Sequence, residues 1–541
     1  MSVTIVEYLL KQLKALGIRD IFGVPGDYAF AIDDAIENEP ELRWIGCCNE
    51  LNAAYAADGY ARIRGMAALC TTFGVGELSA IGAIAGAFAE HLPIIHLVGM
   101  PSSDSMADRR VIHHTLGSGR FDIYAKMAAR VACAWTVLTP DNAVREIKRV
   151  LTAALYERQP VYLALPLDYA QCRIEAEIAP LTLPKSDPEV LATALKLASE
   201  KINEASNPVV LPGYLVQRLR LEEPLYRILE YGNLPFATMM MDKGVLNETS
   251  HRFLGFYDGE LLPGVVHDRV EHADCLINIG ALWSDFNTGN FSAKVLKDKL
   301  IVVGLHQVKI GDVIFHEVEM ADFVDGLAVL LEPHELAFAE RGEEGGWEES
   351  YADCVYRQLA DFIVPGDILV AETGTVAFGM MTARLPHGVP FVNQTLWGAI
   401  GWATPAAFGA ALAAPERRTI LLTGEGAHQL TAQEVSQFGR FGLRPLILVV
   451  NNDGYLIERL LDPDPDRRYN DLPRWDYQLL PAALGCREFL VGQVHSSREW
   501  EAVLARLKHH DGGAYIEIVM SSRDVPEMAR RLKAFQQKYY R

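Results

Sequence analysis

The sequence is poor in the features that mark several large classes of protein. Its eight cysteines, Cys47, Cys48, Cys70, Cys133, Cys172, Cys275, Cys354 and Cys486, are scattered without CxxC spacing, so neither a metal knuckle nor a thioredoxin-like motif is present. They read as free thiols in a reducing compartment. No apolar run reaches the roughly 20 residues that span a bilayer, and the longest candidate, Ile81 to Val98, is broken by Gly, Glu and His. Basic residues are outnumbered 50 to 70 by acidic ones, and a net charge of -20 repels nucleic acid and anionic membrane. Low-complexity tracts are absent, and a composition 50% hydrophobic and 22% charged is that of a folded globular chain.

What is present is length and alternation. A chain of 541 residues exceeds what one core accommodates, so several packed α/β units are expected. Met1 to Leu16 carries Glu7, Lys11 and Lys14 among apolar residues at helical spacing, which predicts an amphipathic helix and not a signal peptide. A soluble cytoplasmic enzyme, with no membrane and no nucleic-acid partner, is the expectation. Short apolar runs at Ala67 to Thr72, Ile94 to Val98 and Val161 to Leu165 alternate with helical periods, the pattern of a parallel sheet covered by helices. The proline-interrupted stretch Cys172 to Glu189 reads as a linker. A second unit holds Val209 to Leu211, Cys275 to Ile279 and Leu300 to Val303, and the Glu- and Gly-rich stretch Glu332 to Trp347 reads as a second linker. A third unit holds Ile368 to Ala371, Thr419 to Thr423 and Leu446 to Val450. Three α/β domains of similar size follow, at residues 1–175, 190–332 and 350–541.

The segment from Thr419 to Glu458 carries the most chemistry. An apolar strand ends in Gly424-Glu425-Gly426, a helix is expected over Leu430 to Phe441, and a second strand ends in Asn451-Asn452. A strand-helix-strand crossover puts both strand ends on one edge of the sheet, so Glu425 and Asn452 should face each other across one crevice. Carboxylate and amide oxygens suit Mg²⁺ or Ca²⁺, and Mg²⁺ completes its shell with phosphate oxygens and water. Gly424 and Gly426 allow close backbone approach, and the helix start after Gly426 offers free N–H groups to a phosphate.

This arrangement resembles the thiamine diphosphate signature, Gly-Asp-Gly followed after a helix by Asn-Asn, with Glu425 standing where that family has Asp. The extra methylene moves the carboxylate outward by about an ångström, which matters for an ion as strict in geometry as Mg²⁺. Four further segments follow the same family's order: Phe22-Gly23-Val24-Pro25-Gly26-Asp27, the helix from Asn49-Glu50 to Tyr60, His113-His114-Thr115-Leu116-Gly117, and Trp397-Gly398-Ala399-Ile400-Gly401-Trp402. Asn451 opens a metal and acid segment that runs through Asn452, Gly454 and Tyr455 to Ile457 and Glu458. Taken singly, each has an ordinary reading. Asp27 suits a turn, Glu50 a solvated helix face and Glu458 a surface carboxylate, while adjacent histidines diverge and ligate one metal poorly. Their joint order resembles the 2-keto acid decarboxylase branch, which includes pyruvate, indolepyruvate and branched-chain keto-acid decarboxylases.

The resemblance implies three doubly wound parallel-sheet domains: a pyrimidine-binding domain, a central domain, and a diphosphate-binding domain with a C-terminal helix. It implies non-oxidative decarboxylation of a 2-keto acid to an aldehyde and CO₂ through the ylid of thiamine diphosphate, with Mg²⁺ as second cofactor. Asp27, Glu50, His113, His114 and Glu458 are then catalytic. Glu50, Thr375, Gly398, Ile400, Glu425, Gly426, Ala427, Asn452, Gly454 and Tyr455 bind cofactor, with the metal on the side chains of Glu425 and Asn452 and the backbone oxygen of Gly454. Family members build the site between two chains, so a homodimer or homotetramer is expected. The segment Glu372 to Phe378 resembles the family's pocket, but pyruvate decarboxylases carry Trp where Ala377 stands, which favours long aliphatic, branched or aromatic keto acids. Glu372 is itself the residue of the pyruvate type. Phe378, Ile457, and Leu532 and Phe535 on a helix expected over Val525 to Tyr540, complete the substrate pocket. A pyruvate decarboxylase, a carboligase and a thiamine-binding scaffold impaired in catalysis by Glu425 are the alternatives, and CO₂ release across several keto acids separates them.

Overall fold

The computed structural model describes residues 2–335 and 350–539. Residues 336–347 of the expected second linker, and Tyr540 at the end of the expected terminal helix, lie outside the described residues. Three sheets carry the fold. The first has six parallel strands in the order Arg43–Gly46, Asp20–Gly23, Ala67–Thr72, Ile94–Met100, Val161–Pro166 and Ala134–Val137. The third repeats the pattern with Phe391–Val392, Ile368–Ala371, Thr419–Gly424, Leu446–Asn451, Ala514–Val519 and Leu490–Val494, again all parallel. In both, the strand that comes first in sequence lies between the second and the third, so the winding reverses beside it. Open parallel sheets bind ligands at the carboxyl ends of their strands, next to such a reversal.

The central sheet differs from a purely parallel expectation. Phe253–Phe256, Phe236–Thr238, Pro208–Pro212, Cys275–Ile279 and Leu300–Val303 run parallel, and the hairpin of Gln307–Ile310 and Val313–His316 extends the edge antiparallel. Its turn is the two-residue loop Gly311-Asp312, with Gly311 at a φ of 58°, the left-handed conformation that short hairpin loops require.

By contact the chain forms two compact units. One comprises Met1–Pro184, Thr404–Pro415 and Thr431–Leu443, and the other Lys185–Ala403, Glu416–Leu430 and Arg444–Arg541. In the first unit the expected N-terminal helix begins late, at Ile5, because Thr4 caps it: Thr4 Oγ1 accepts from the Glu7 N–H and Glu7 Oε2 from the Thr4 N–H. Ser2–Thr4 is instead a strand paired antiparallel with Arg173–Glu175, so part of the expected first linker is regular structure. The helix Glu50–Arg64 starts at the Asn49 cap, whose side chain accepts from the Asn52 N–H at 2.8 Å, and stops at Gly65, φ 94°. Far from showing a solvated face, it is buried from Asn52 to Ala61. A Cβ at Gly59 would lie 2.0 Å from the Ala406 carbonyl oxygen, and one at Gly409 1.8 Å from that of Ala56, so this helix and the Ala403–Ala413 helix meet backbone to backbone.

In the second unit the apolar strands of the third sheet pack with the helix Tyr351–Phe362 in one core. The C-terminal helix is Glu527–Tyr539, starting just after Pro526, and buries Met528 and Phe535 in that core.

Candidate active site

The third sheet places Glu425 and Asn452 as the strand order predicts. Thr419–Gly424 and Leu446–Asn451 are adjacent, with Gly424 opposite Val450, and each strand ends directly before the predicted metal ligand. Glu425 Oε1 accepts from the backbone N–H of Asn452 at 3.1 Å and of Gly454 at 2.8 Å. Its other oxygen, Oε2, and Asn452 Oδ1 are buried without a hydrogen-bond partner. Leaving such atoms unpaired costs roughly 1–3 kcal/mol each, more for a charge. Burial pushes the Glu425 carboxyl up to about 7. An oxygen-seeking cation relieves both penalties, so this donor set fits Mg²⁺.

The glycines around it are set by contact. At Gly454, φ 150°, a Cβ would fall 2.3 Å from the Arg459 guanidinium, and at Gly426 it would fall 2.6 Å from the Tyr455 ring. Gly424 faces open space, room for a ligand's phosphates. One expectation is corrected here. The helix predicted over Leu430 to Phe441 instead starts at once off the strand, as Glu425–Thr431, and continues through a tighter turn, Ala432–Glu434, into Val435–Arg440. Glu425 therefore sits in a helical first turn, where a carboxylate complements the backbone dipole.

The segment Trp397–Trp402 bends at two glycines, Gly398 at φ 63° and Gly401 at φ 87°. Ile400 stands between them with 42% of its surface exposed, an aliphatic side chain presented outward and not a core residue. Glu372 holds this segment from below: its Oε2 accepts from the N–H of Gly401 at 3.1 Å and of Ala403 at 3.2 Å, and its Oε1 from that of Thr373. Burial pushes Glu372 up to about 7. In the sequence Glu372 is the pyruvate-type residue of the pocket segment. The structure makes it a buried backbone brace, a role no spacing signals.

Thr375, Ala377 and Phe378 lie on the short buried helix Thr375–Met380, next to Gly374 at φ 98°. Ile457 reaches within 3.7 Å of where a Gly374 Cβ would be. Ala377, Phe378 and Phe535 belong to the extended apolar core of the third sheet, with Ile457 and Leu532 partly buried against that core. Glu458, in the first turn of Leu456–Leu461, is exposed. Ala427 lies beside Gly401.

In the first unit, Asp27 follows the first strand of its sheet and meets both histidines. His113 Nε2 is 2.7 Å from Asp27 Oδ2, and His114 Nδ1 is 4.0 Å from Oδ1. Neighbouring side chains ordinarily point apart, so their convergence needs an unusual backbone. His114 supplies it with a φ of 60°, left-handed and rare for a residue with a Cβ. Its carbonyl oxygen presses on Gly74, where a Cβ would lie 2.1 Å away. Tyr28, which sequence reasoning passed over, stacks on His113 with centroids 4.8 Å apart. The expectation that adjacent histidines diverge is thus overturned by one left-handed residue.

Glu50 opens its helix half-buried, with Oε1 3.3 Å from the place of a Gly76 Cβ. The loop before it is clamped by the buried Glu434, whose Oε2 accepts from the Cys48 N–H at 3.2 Å and the Asn52 amide at 2.8 Å. Nothing in the sequence around Glu434 marked it.

Comparison with known proteins gives a consistent result. Models of the thiamine pyrophosphate enzymes match the chain three times: the N-terminal TPP binding domain over residues 3–120, the central domain over 195–330 and the C-terminal TPP binding domain over 373–518. An alpha-keto-acid decarboxylase of Mycobacterium ulcerans (strain Agy99) is 39% identical, the match covering 98% of this chain and 95% of that protein. Alpha-keto-acid decarboxylases of Mycobacterium avium (strain 104) and Mycobacterium leprae (strain TN) are each 39% identical, over 97% and 98% of this chain and 95% of theirs.

Proposed function

Because the chain belongs to the thiamine diphosphate-dependent 2-keto acid decarboxylase family, and is an enzyme of that kind, we propose that its substrates are 2-keto acids larger than pyruvate. Branched-chain, long aliphatic and aromatic acids, phenylpyruvate and indolepyruvate among them, are the class. The observation that carries this is the small Ala377, in the same apolar core as Phe378 and Phe535, with Ile457 and Leu532 packed against that core. Glu372, the feature that pointed to pyruvate, is spent on backbone N–H groups.

Bound thiamine diphosphate supplies the electron sink for the carbanion that loss of CO₂ leaves, which no side chain delocalises. Glu425, Asn452 and the Gly454 carbonyl would hold Mg²⁺, and Gly426, Ala427, Tyr455 and Thr375 would line the diphosphate end of the site. Glu50 would hold the proton shared with the aminopyrimidine, the Gly398 carbonyl would accept a hydrogen bond from the same ring, and Ile400 would pack against it. Glu458 would face the carboxylate of the bound keto acid. Asp27 and His114 deliver the proton that replaces CO₂ and assist aldehyde release, and His113 orients Asp27 through their 2.7 Å contact.

The working form is a homodimer or homotetramer with active sites completed at the subunit interface. Supporting this, Trp397, Ile400, Val75 and Leu116 are large apolar side chains left exposed near site residues. Among the described residues no helix is long and apolar enough to cross a membrane, and all eight cysteines are free, which supports a cytoplasmic location.

The test is CO₂ release with thiamine diphosphate and Mg²⁺ across pyruvate, 2-ketoisovalerate, 2-ketoisocaproate, phenylpyruvate and indolepyruvate. Pyruvate as the best substrate refutes the proposed class, and no release from any of them returns the impaired-scaffold reading. Ala377→Trp fills the cluster, so kcat/KM for phenylpyruvate is expected to fall at least about tenfold more than that for pyruvate. Glu425→Asp shortens a carboxylate already latched to two N–H groups, and the Mg²⁺ needed for half-maximal activity is expected to rise about tenfold. A lower requirement would show instead that the extra methylene displaces the ligand.

A further inference from the structure

Asp27, His113 and His114 make a second donor set, distinct in chemistry from the all-oxygen site at Glu425. One ligand atom from each lies within 4.8 Å of the others. Two imidazole nitrogens and one carboxylate suit zinc and its neighbours, not Mg²⁺. Around zinc such atoms stand about 3.3 Å apart, with metal distances near 2.0–2.2 Å. The observed contacts, 2.7 Å for His113 to Asp27 and 4.0 Å for His114 to Asp27, bracket that spacing.

Two further observations point the same way. His114 Nδ1 is buried without a hydrogen-bond partner and lies 4.0 Å from Asp27 Oδ1, so no hydrogen bond competes with a metal for it. His113 carries a ready outer partner: the Tyr28 hydroxyl lies 3.4 Å from Nδ1 and its ring stacks on the imidazole. The proton held in the 2.7 Å contact between Nε2 and Asp27 leaves on ligation, and the imidazole keeps its other proton on Nδ1, the tautomer that a metal on Nε2 requires. The left-handed turn at His114 brings the two rings together, their centroids 4.7 Å apart, and Asp27 and His113 are open to solvent, which gives an ion its entry.

We infer that Asp27, His113 and His114 form a binding site for a divalent ion of the zinc class, and that its occupation silences the enzyme. Ligation takes the Asp27 oxygen and both nitrogen lone pairs and releases to water any proton held between them, so no group remains to carry a proton to product. The silencing rests on the roles proposed above for Asp27 and His114. The binding rests on the geometry alone.

The experiment uses the full chain saturated with thiamine diphosphate and excess Mg²⁺, dialysed against graded ZnCl₂, with both metals measured and turnover followed in parallel. Uptake of about one zinc per chain without loss of Mg²⁺ is expected, and His113→Gln and His114→Gln should each weaken it about tenfold or more. Cys48→Ser, which removes an exposed thiol elsewhere, should not. Turnover should fall at least tenfold and return with a zinc-selective chelator. Uptake that either histidine variant leaves intact, or that displaces Mg²⁺ mole for mole, overturns the site. Triad-dependent uptake with undiminished turnover overturns the silencing, and with it the proton-carrying roles. No uptake at all overturns the site and leaves those roles standing.

Discussion

Glu50→Gln is expected to lower turnover by about 10²–10⁴-fold, the range that a positioned proton-transfer group contributes, while the protein remains folded. The substitution is isosteric and removes only the ability to hold a proton as a carboxyl. The local frame does not depend on it: the helix is started by Asn49, stopped by Gly65 and packed through Gly59 against Ala406. The preceding loop is held by Glu434 through Cys48 and Asn52. Far-ultraviolet circular dichroism and the denaturation midpoint should match the parent, and cofactor affinity should weaken far less than turnover. Wild-type CO₂ release by this variant would remove Glu50 from the mechanism. Loss of activity with loss of fold would instead assign it to helix stability, as would recovery in Glu50→Ala.

Lys243→Met should destabilise the second unit by about 3–5 kcal/mol, the cost of stranding a buried partner charge. Lys243 Nζ lies 2.8 Å from Glu248 Oε2, and the side chains are 1% and 0% exposed. Lys243 also donates to the Ala383 carbonyl, and Glu248 accepts from the N–H of Gly244 at 2.9 Å and of Leu385 at 2.9 Å. The pair thus ties the loop after Phe236–Thr238 in the central sheet to residues 383–385, just ahead of Phe391–Val392 in the third. A urea midpoint read by tryptophan fluorescence measures the loss. The double variant Lys243→Met/Glu248→Gln should recover most of it, because no uncompensated charge remains. A double variant as weak as the single one would show that geometry, and not charge, is what the pair supplies.

Much of the framework was legible because it rests on local signals. The strands Ala67–Thr72, Cys275–Ile279, Leu300–Val303 and Ile368–Ala371 fall where short, mostly apolar runs put them, since strands of a helix-covered parallel sheet are largely apolar. The facing of Glu425 and Asn452 followed from strand-crossover topology alone. The errors were of another kind. Ser2–Thr4 pairs with a strand some 170 residues away, and no nearby residue announces it. The helix after Gly424 begins five residues earlier than its apolar period, because the strand feeds straight into it.

By itself, the sequence determined the α/β class, the order of the candidate site segments and the residue types suited to a diphosphate and a metal, because these depend on periodicity and on chemistry carried within short stretches. Tertiary structure alone decided which oxygens are spent and which are left over. Glu372 is consumed by backbone N–H groups from 29 and 31 residues away, while Glu425 keeps one buried oxygen unpaired. It also decided that His113 and His114 meet on Asp27. Adjacent side chains converge only where the backbone turns left-handed, and that turn packs on Gly74, 40 residues earlier in the chain.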